Sequence, residues 1–264
     1  MSSYETIRVE REEHLTWLTL DRPEALNALS IQMIEELHDF FFRLPEDTET
    51  RVLALRGAGK AFCAGLDLKE SRGGDGGVPE GLRIQRQVAE LSVMLRRAPQ
   101  PVIAAVQGAA AGGGFALALA SDVRIAADTA RMNAAFIRIG LSACDVGVSY
   151  FLPRIVGASV ASELLLTGDF IEADRALRTG LVSDVVPEAA LEGATRDMAA
   201  RMLRNSPLAL RLTKECLKIN VDAGSLEAAI AMEDRNQILA VQSKDFREGV
   251  SAFLGKREPR FEDR

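Results

Sequence analysis

Residues 101–121 read PVIAAVQGAAAGGGFALALAS. The run carries no charge. It divides into a buried strand at 102–106, a small-residue loop, and a helix opened by Gly112, Gly113 and Gly114. A glycine-rich turn from strand to helix aims free backbone N–H groups at one point, where the helix dipole favours negative charge. That point suits a phosphate, a carboxylate or an oxyanion. The run approaches the length of a membrane span, and Gly108 with Gly112 fits the helix-pairing spacing. Ala and Gly dominate it, however, so it reads as a buried element of a soluble fold. The dinucleotide pattern GxGxxG fails because Leu117 takes the third glycine position, and the phosphate loop GxxxxGK[ST] fails because the run has no lysine. An oxyanion site remains.

Working outward, the 264 residues are 47% hydrophobic, enough for one large domain with an appendage or for two domains. The net charge of −6 argues against a nucleic-acid partner, which needs a basic face. Cys63, Cys144 and Cys216 are odd in number and far apart, as free thiols of a reducing compartment are. The N-terminal MSSYETIRVEREEH has no apolar signal core, so a cytoplasmic protein without a membrane span is expected. With only His14 and His38, both early in the chain, neither a histidine triad nor a histidine-rich metal site is expected.

Residues 6–10 and 15–20 read as paired strands, residues 51–57 and 122–127 as further strands, and residues 184–186 as a short one. Ser30 is a fair N-cap for a helix carrying Met33, Ile34, Leu37, Phe40 and Phe41 at helical spacing. SRGGDGGVPEG, residues 71–81, has no periodicity and reads as a mobile surface loop of the kind that acts as a lid, with a helix over 81–97. From about residue 191 the pattern is helical throughout. Strands alternating with helices, then a helical tail, indicate an α/β core with a helical appendage. Leu208, Leu210, Leu212, Leu217, Ile230, Met232, Ile238 and Leu239 make that tail too apolar to stand alone in water.

Two segments combine. AFCAGLDLKE, residues 61–70, follows one buried strand, and QGAAAGGGFALA, residues 107–118, follows another. Each places small residues where backbone must approach a ligand, and two N–H groups from separate loops form an oxyanion hole for a carbonyl that becomes an enolate. With LTLDRPEALNALS (18–30), LLLTGDFIEADRALRTGLVSDVVP (164–187) and EGVSAFLGKREPRF (248–261), these segments resemble the crotonase (enoyl-CoA hydratase/isomerase) superfamily, in order and over almost the whole chain.

The resemblance implies an α/β fold: a spiral of ββα units over residues 1–190 holding an acyl-CoA site, and a C-terminal helical trimerisation region over residues 191–264. A homotrimer or homohexamer follows from it. It implies an acyl-CoA thioester as ligand, with no cofactor other than the coenzyme A carried by the substrate. Leu66 and Gly113 would supply the oxyanion N–H groups. Ala64, Leu66, Asp67, Leu68, Lys69, Gly112, Gly113 and Lys256 would line the bound thioester and its CoA, with Lys69 and Lys256 near the phosphates. For both lysines, ordinary surface charge is the competing reading.

The catalytic groups depart from the pattern. Hydratases of this superfamily use two glutamates to handle protons. The first position is Ala116 here and the second is Phe136, and no carboxylate lies between residues 131 and 144. Asp145, in GLSACDVGVSY, is the carboxylate that remains, in an Asp-x-Gly context resembling dienoyl-CoA isomerases, dihydroxynaphthoyl-CoA synthases and chlorobenzoyl-CoA dehalogenases. It is either a proton carrier or an acid capping the helix that follows. Cys63 and Cys144 have no histidine near in sequence and read as small buried hydrophobes. An isomerisation suits a single carboxylate better than hydration does. The alternative is an acyl-CoA binding protein without catalysis.

Overall fold

The computed structural model describes residues 4–70 and 77–263. Its main sheet has six strands in the order β1 (Ile7–Glu12), β2 (Leu15–Leu20), β3 (Val52–Gly57), β4 (Val102–Val106), β6 (Val123–Ala127) and β9 (Asp184–Val186). β1 and β2 form an antiparallel hairpin and every later neighbour is parallel. A parallel sheet needs cover on both faces, so its strands read as unbroken apolar runs. Successive side chains still alternate between two cores. Leu18, Leu20, Leu53, Leu55, Val102, Ala104 and Val106 point to one, and Leu15, Trp17, Val52, Ala54, Ile103 and Ala105 to the other.

The first core is closed by α1 (Ile31–Arg43), α2 (Gly77–Arg97), α3 (Gly113–Ala120), α4 (Val148–Val156), α5 (Ala158–Thr167) and α6 (Ala173–Arg178). The second is closed by α7 (Leu191–Leu203), which lays Leu191 and Ala199 on the sheet. α7 therefore belongs to the layered core. Arg196 on α7 and Arg56 on β3 both stack on the ring of Trp17. α8 (Pro207–Asn220), α9 (Leu226–Val241) and α10 (Lys244–Leu254) extend beyond it, each opened by a serine N-cap. The buried Lys214 on α8 pins this tail to the core, its Nζ 2.7 Å from Asp122 Oδ2 and 2.8 Å from Gln100 O.

A second, small sheet was not foreseen in the sequence. β5 (Ala109–Ala111) pairs in parallel with β7 (Arg131–Asn133), which pairs antiparallel with β8 (Ile171–Glu172). β5 is three alanines, a composition with little strand propensity, and only its partners make it a strand. Of the loop expected over 71–81, residues 71–76 lie outside the described residues, while residues 77–81 are the first turn of α2. Pro79 is tolerated in that turn because its missing N–H has no helical acceptor there, and Glu80 favours the positive end of the dipole.

Candidate active site

Two loops meet at the C-terminal ends of β3 and β4. Their approach depends on residues without side chains. A methyl group on Gly114 would fall 2.3 Å from Cys63 O and 2.6 Å from Cys63 Cβ, and one on Gly108, where φ is +53°, would fall 2.0 Å from Lys60 O. Only glycine permits either contact. The loops are then tied by Cys63 N–H to Ala109 O at 3.1 Å, Ala111 N–H to Cys63 O at 2.9 Å, and Phe62 N–H to Gln107 O at 2.8 Å. The Gln107 amide donates to Gly57 O and Gly59 O.

This brings Leu66 and Gly113 together. A methyl group on Gly65 would lie 3.4 Å from Gly113 N, and one on Gly113 would lie 3.9 Å from Leu66 N. Neither N–H donates to any acceptor among the described residues, although Gly112 N–H, Ala116 N–H and Asp67 N–H around them all do. Gly113 is the first residue of α3, so its N–H also carries the positive end of the dipole. At the other end of α3 the buried Arg124 guanidinium donates to the carbonyls of Ala118, Leu119 and Ser121. Burial pushes Arg124 down to about 10, which leaves it charged at neutral pH and complementary to that C-terminus.

The 63–70 loop is braced from outside. Arg22 donates to Asp67 Oδ2 at 3.0 Å and to Ala28 O at 2.7 Å. Lys69 N–H donates to Asp67 Oδ1. Burial raises the Asp67 carboxyl, but the Arg22 hydrogen bond, the Lys69 N–H and the Arg22 charge outweigh it and hold the group below the ordinary carboxylate range. Asp67 thus spends its side chain on shaping the loop. Glu70 accepts from Ile31 N–H at the start of α1, where Ser30 is the expected N-cap. Asn27, fully buried with φ +55°, donates to Ala58 O and Ala61 O. Sequence reading passed over Arg22 and Asn27. The one signal for Asn27 is that asparagine tolerates a left-handed turn better than other residues.

Ala64 is half-buried, Leu68 and Lys69 are exposed, and Gly112 is buried under Phe136, whose ring lies 3.4 Å from where a Gly112 Cβ would be. Ala116 is buried in the first turn of α3. Ala116 and Phe136 are thus both buried and apolar. Lys256 follows α10 with φ +49°, exposed, its N–H on Phe253 O. No hydrogen bond or ion pair among the described residues joins it to the loop pair. Cys63 is buried as expected and its thiol is pushed up to about 12 by burial, so it is no nucleophile, whereas Cys144, expected to be buried, is exposed in the loop before α4.

Asp145 does not cap α4. The N-cap of that helix is Gly147, with no side-chain cap. Asp145 lies half-buried in the loop before it. Its Oδ1 accepts from Gln85 Nε2 on α2 and from Val146 N–H at 2.8 Å. Sequence reading did not single out Gln85, which is 60 positions away.

A layered α/β core thus brings two small-residue loops together at a pair of N–H groups without acceptors among the described residues, and comparison with known proteins gives the family. This chain belongs to the enoyl-CoA hydratase/isomerase family, whose model matches residues 10–264, and it is an enzyme of that family. It is 43% identical over 266 residues to a "probable enoyl-CoA hydratase" of Rhodobacter capsulatus, covering 99% of this chain and 100% of that one. It is 37% identical to the 1,2-epoxyphenylacetyl-CoA isomerase of Escherichia coli, with 95% of each chain covered. The crystal structure of enoyl-CoA hydratase from Bacillus anthracis superposes with a TM-score of 0.94 at 35% identity, covering 98% of this chain and 100% of that one. The crotonase-type α/β fold expected from the resemblance is thus the fold found.

Proposed function

We propose that this enzyme isomerises an acyl-CoA thioester through an enolate. Leu66 and Gly113 N–H hold the thioester oxygen as it gains negative charge, and Asp145 moves one proton between two carbons. The observation that carries the reading is the pair of N–H groups without acceptors among the described residues, together with the buried, apolar Ala116 and Phe136 where acids would be needed. Donors already aimed at the developing charge stabilise an enolate without reorganising. Hydration needs a water activated at one carbon and a proton delivered at another, and one carboxylate does not readily serve both. An isomerisation returns to the substrate the proton it removed. The likeness to an enzyme named as an acyl-CoA isomerase supports this. Ala64, Leu68, Lys69, Gly112 and Lys256 are assigned to the CoA portion, and the reaction requires no further cofactor. We assign the enzyme to the cytoplasm and to a trimer or hexamer built through α8–α10, where Leu217, Ile238, Phe253 and Leu254 are exposed. Among the described residues no helix is long and apolar enough to cross a membrane.

The test is a turnover screen on crotonyl-, 3-enoyl-, dienoyl- and aryl-CoA thioesters with wild type and Asp145→Asn. Wild type should shift a double bond in an enoyl-CoA, and its crotonyl-CoA hydration should run at least about 10²-fold below a two-glutamate hydratase. Asp145→Asn should lose a factor of about 10² to 10⁴ in turnover while CoA affinity stays within a few-fold. Crotonyl-CoA hydration at the rate of a two-glutamate enzyme, or undiminished turnover in Asp145→Asn, would overturn it.

A further inference from the structure

We propose that Gln85 is a positioning residue for Asp145, and that it divides the carboxylate into a held oxygen and a working oxygen. The inference rests on Asp145 as the proton carrier. Asp145 Oδ1 takes both donors, the Gln85 amide from α2 and the Val146 N–H from its own turn. Oδ2 has no partner among the described residues. A carboxylate fixed through one oxygen cannot rotate freely, so the lone pairs of the other point in a set direction.

The turn has its own cost, which is a second observation. Val146 has φ +41° and Gly147 φ +95°. A β-branched residue is rarely found in that region and persists there only where its surroundings hold it. Val146 is held by burial of its side chain and by Val148 N–H closing onto Asp145 O at 2.8 Å. The conformation places the Val146 N–H on Oδ1 alongside the Gln85 amide. Two elements distant in sequence therefore converge on one oxygen atom.

The chemistry of the donor fits a carboxylate that must both take and give a proton. A guanidinium or ammonium at position 85 would add a positive charge that opposes protonation. An amide orients the group without adding charge. In the step itself, a substrate C–H bond breaks as the Oδ2–H bond forms, and the C–H electron pair enters the thioester as an enolate. The enolate then re-forms its carbonyl as a second carbon takes the proton from Oδ2. Substrate and product are isomers, and no other reactant is consumed.

Gln85→Leu, Gln85→Glu and Asp145→Asn, assayed on the enoyl-CoA that wild type isomerises, test the inference. Gln85→Leu keeps the bulk and loses the donor. It should lower kcat by about 10- to 100-fold, the scale expected of a misplaced catalytic group, while KM and the melting temperature stay close to wild type. Gln85→Glu sets a second carboxylate against Asp145 and should lose at least as much at neutral pH. An unchanged kcat in Gln85→Leu beside a lost one in Asp145→Asn would overturn the positioning role and leave the proton carrier standing. A raised KM or lowered melting temperature that accounts for the whole loss would show a structural role and also overturn it. Full turnover in Asp145→Asn would instead remove the carrier, and this inference with it.

Discussion

The two halves of the candidate site are built differently. The side proposed to hold the oxyanion consists of backbone. Its N–H groups belong to Leu66 and Gly113, and their position is set by contacts that allow no side chain, such as Gly114 against Cys63. The side proposed to handle protons is one carboxylate on a loop, set by a turn with an uncommon backbone conformation and by a hydrogen bond from an exposed glutamine. A backbone donor survives almost any substitution of its own side chain, whereas a side-chain acid is lost by a single one.

The largest expected effect lies on the rigid half. Gly114→Ala sets a methyl group 2.3 Å from a backbone oxygen and 2.6 Å from Cys63 Cβ. Neither atom is the end of a flexible side chain, so the two loops must part. The loss should reach about 3 kcal/mol or more, the upper end of overpacking, and be visible as a collapse of the urea midpoint or as insoluble protein. A variant with near wild-type stability would show that the loops are pliable and would erase the contrast between the halves.

The same contrast explains what could be read in the sequence. The close approach of the two loops was legible because it requires small residues, and the runs 61–65 and 108–114 are rich in them. β2, β3 and β4 were legible because both faces of the sheet are buried there. Gln85 was not legible. A glutamine on an amphipathic helix has no sequence signature, and its partner is brought to it by the tertiary fold alone. The small sheet was hidden for a similar reason, since Ala109 to Ala111 become a strand only beside Arg131 to Asn133. The reading of Asp145 as a helix cap failed because Gly147, two residues later, supplies the extra turn that starts α4.

An intermediate effect is expected at Asp67, which asks whether the rigid half also depends on a side chain. Asp67 is buried and paired with Arg22, and its carboxyl is held below the ordinary range, where burial alone would have raised it. Asp67→Asn keeps the shape and removes the charge. It should cost about 2 kcal/mol at pH 7, as for a hydrogen bond to a charged group. The sign of the pH dependence follows. A carboxyl whose folded value is depressed stabilises the fold above its unfolded value of about 3.9, and that contribution fades as pH falls through the folded value. The gap in urea midpoint between wild type and Asp67→Asn should therefore be full at pH 7 and narrow below about pH 4. A gap independent of pH would mean that Asp67 acts by shape, and that the loop holds itself without Arg22.

The smallest expected effect discriminates best between the halves. Leu66 is half-buried, and its side chain packs against the main core. If its contribution to the site is its N–H alone, Leu66→Ala should keep turnover and acyl-CoA affinity within about two- to three-fold, because alanine offers the same donor from the same backbone. The partly buried side chain should cost about 1 kcal/mol of stability, below the range seen for fully buried leucines. The equivalent truncation on the other half, Asp145→Ala, removes the proposed proton carrier outright. Parallel truncations on the same substrate thus compare a donor carried by the main chain with an acid carried by a side chain. A large loss of turnover in Leu66→Ala at unchanged stability would mean that the leucine side chain touches the acyl group. The division of the site into a backbone half and a side-chain half would then fail at the residue where it is most direct.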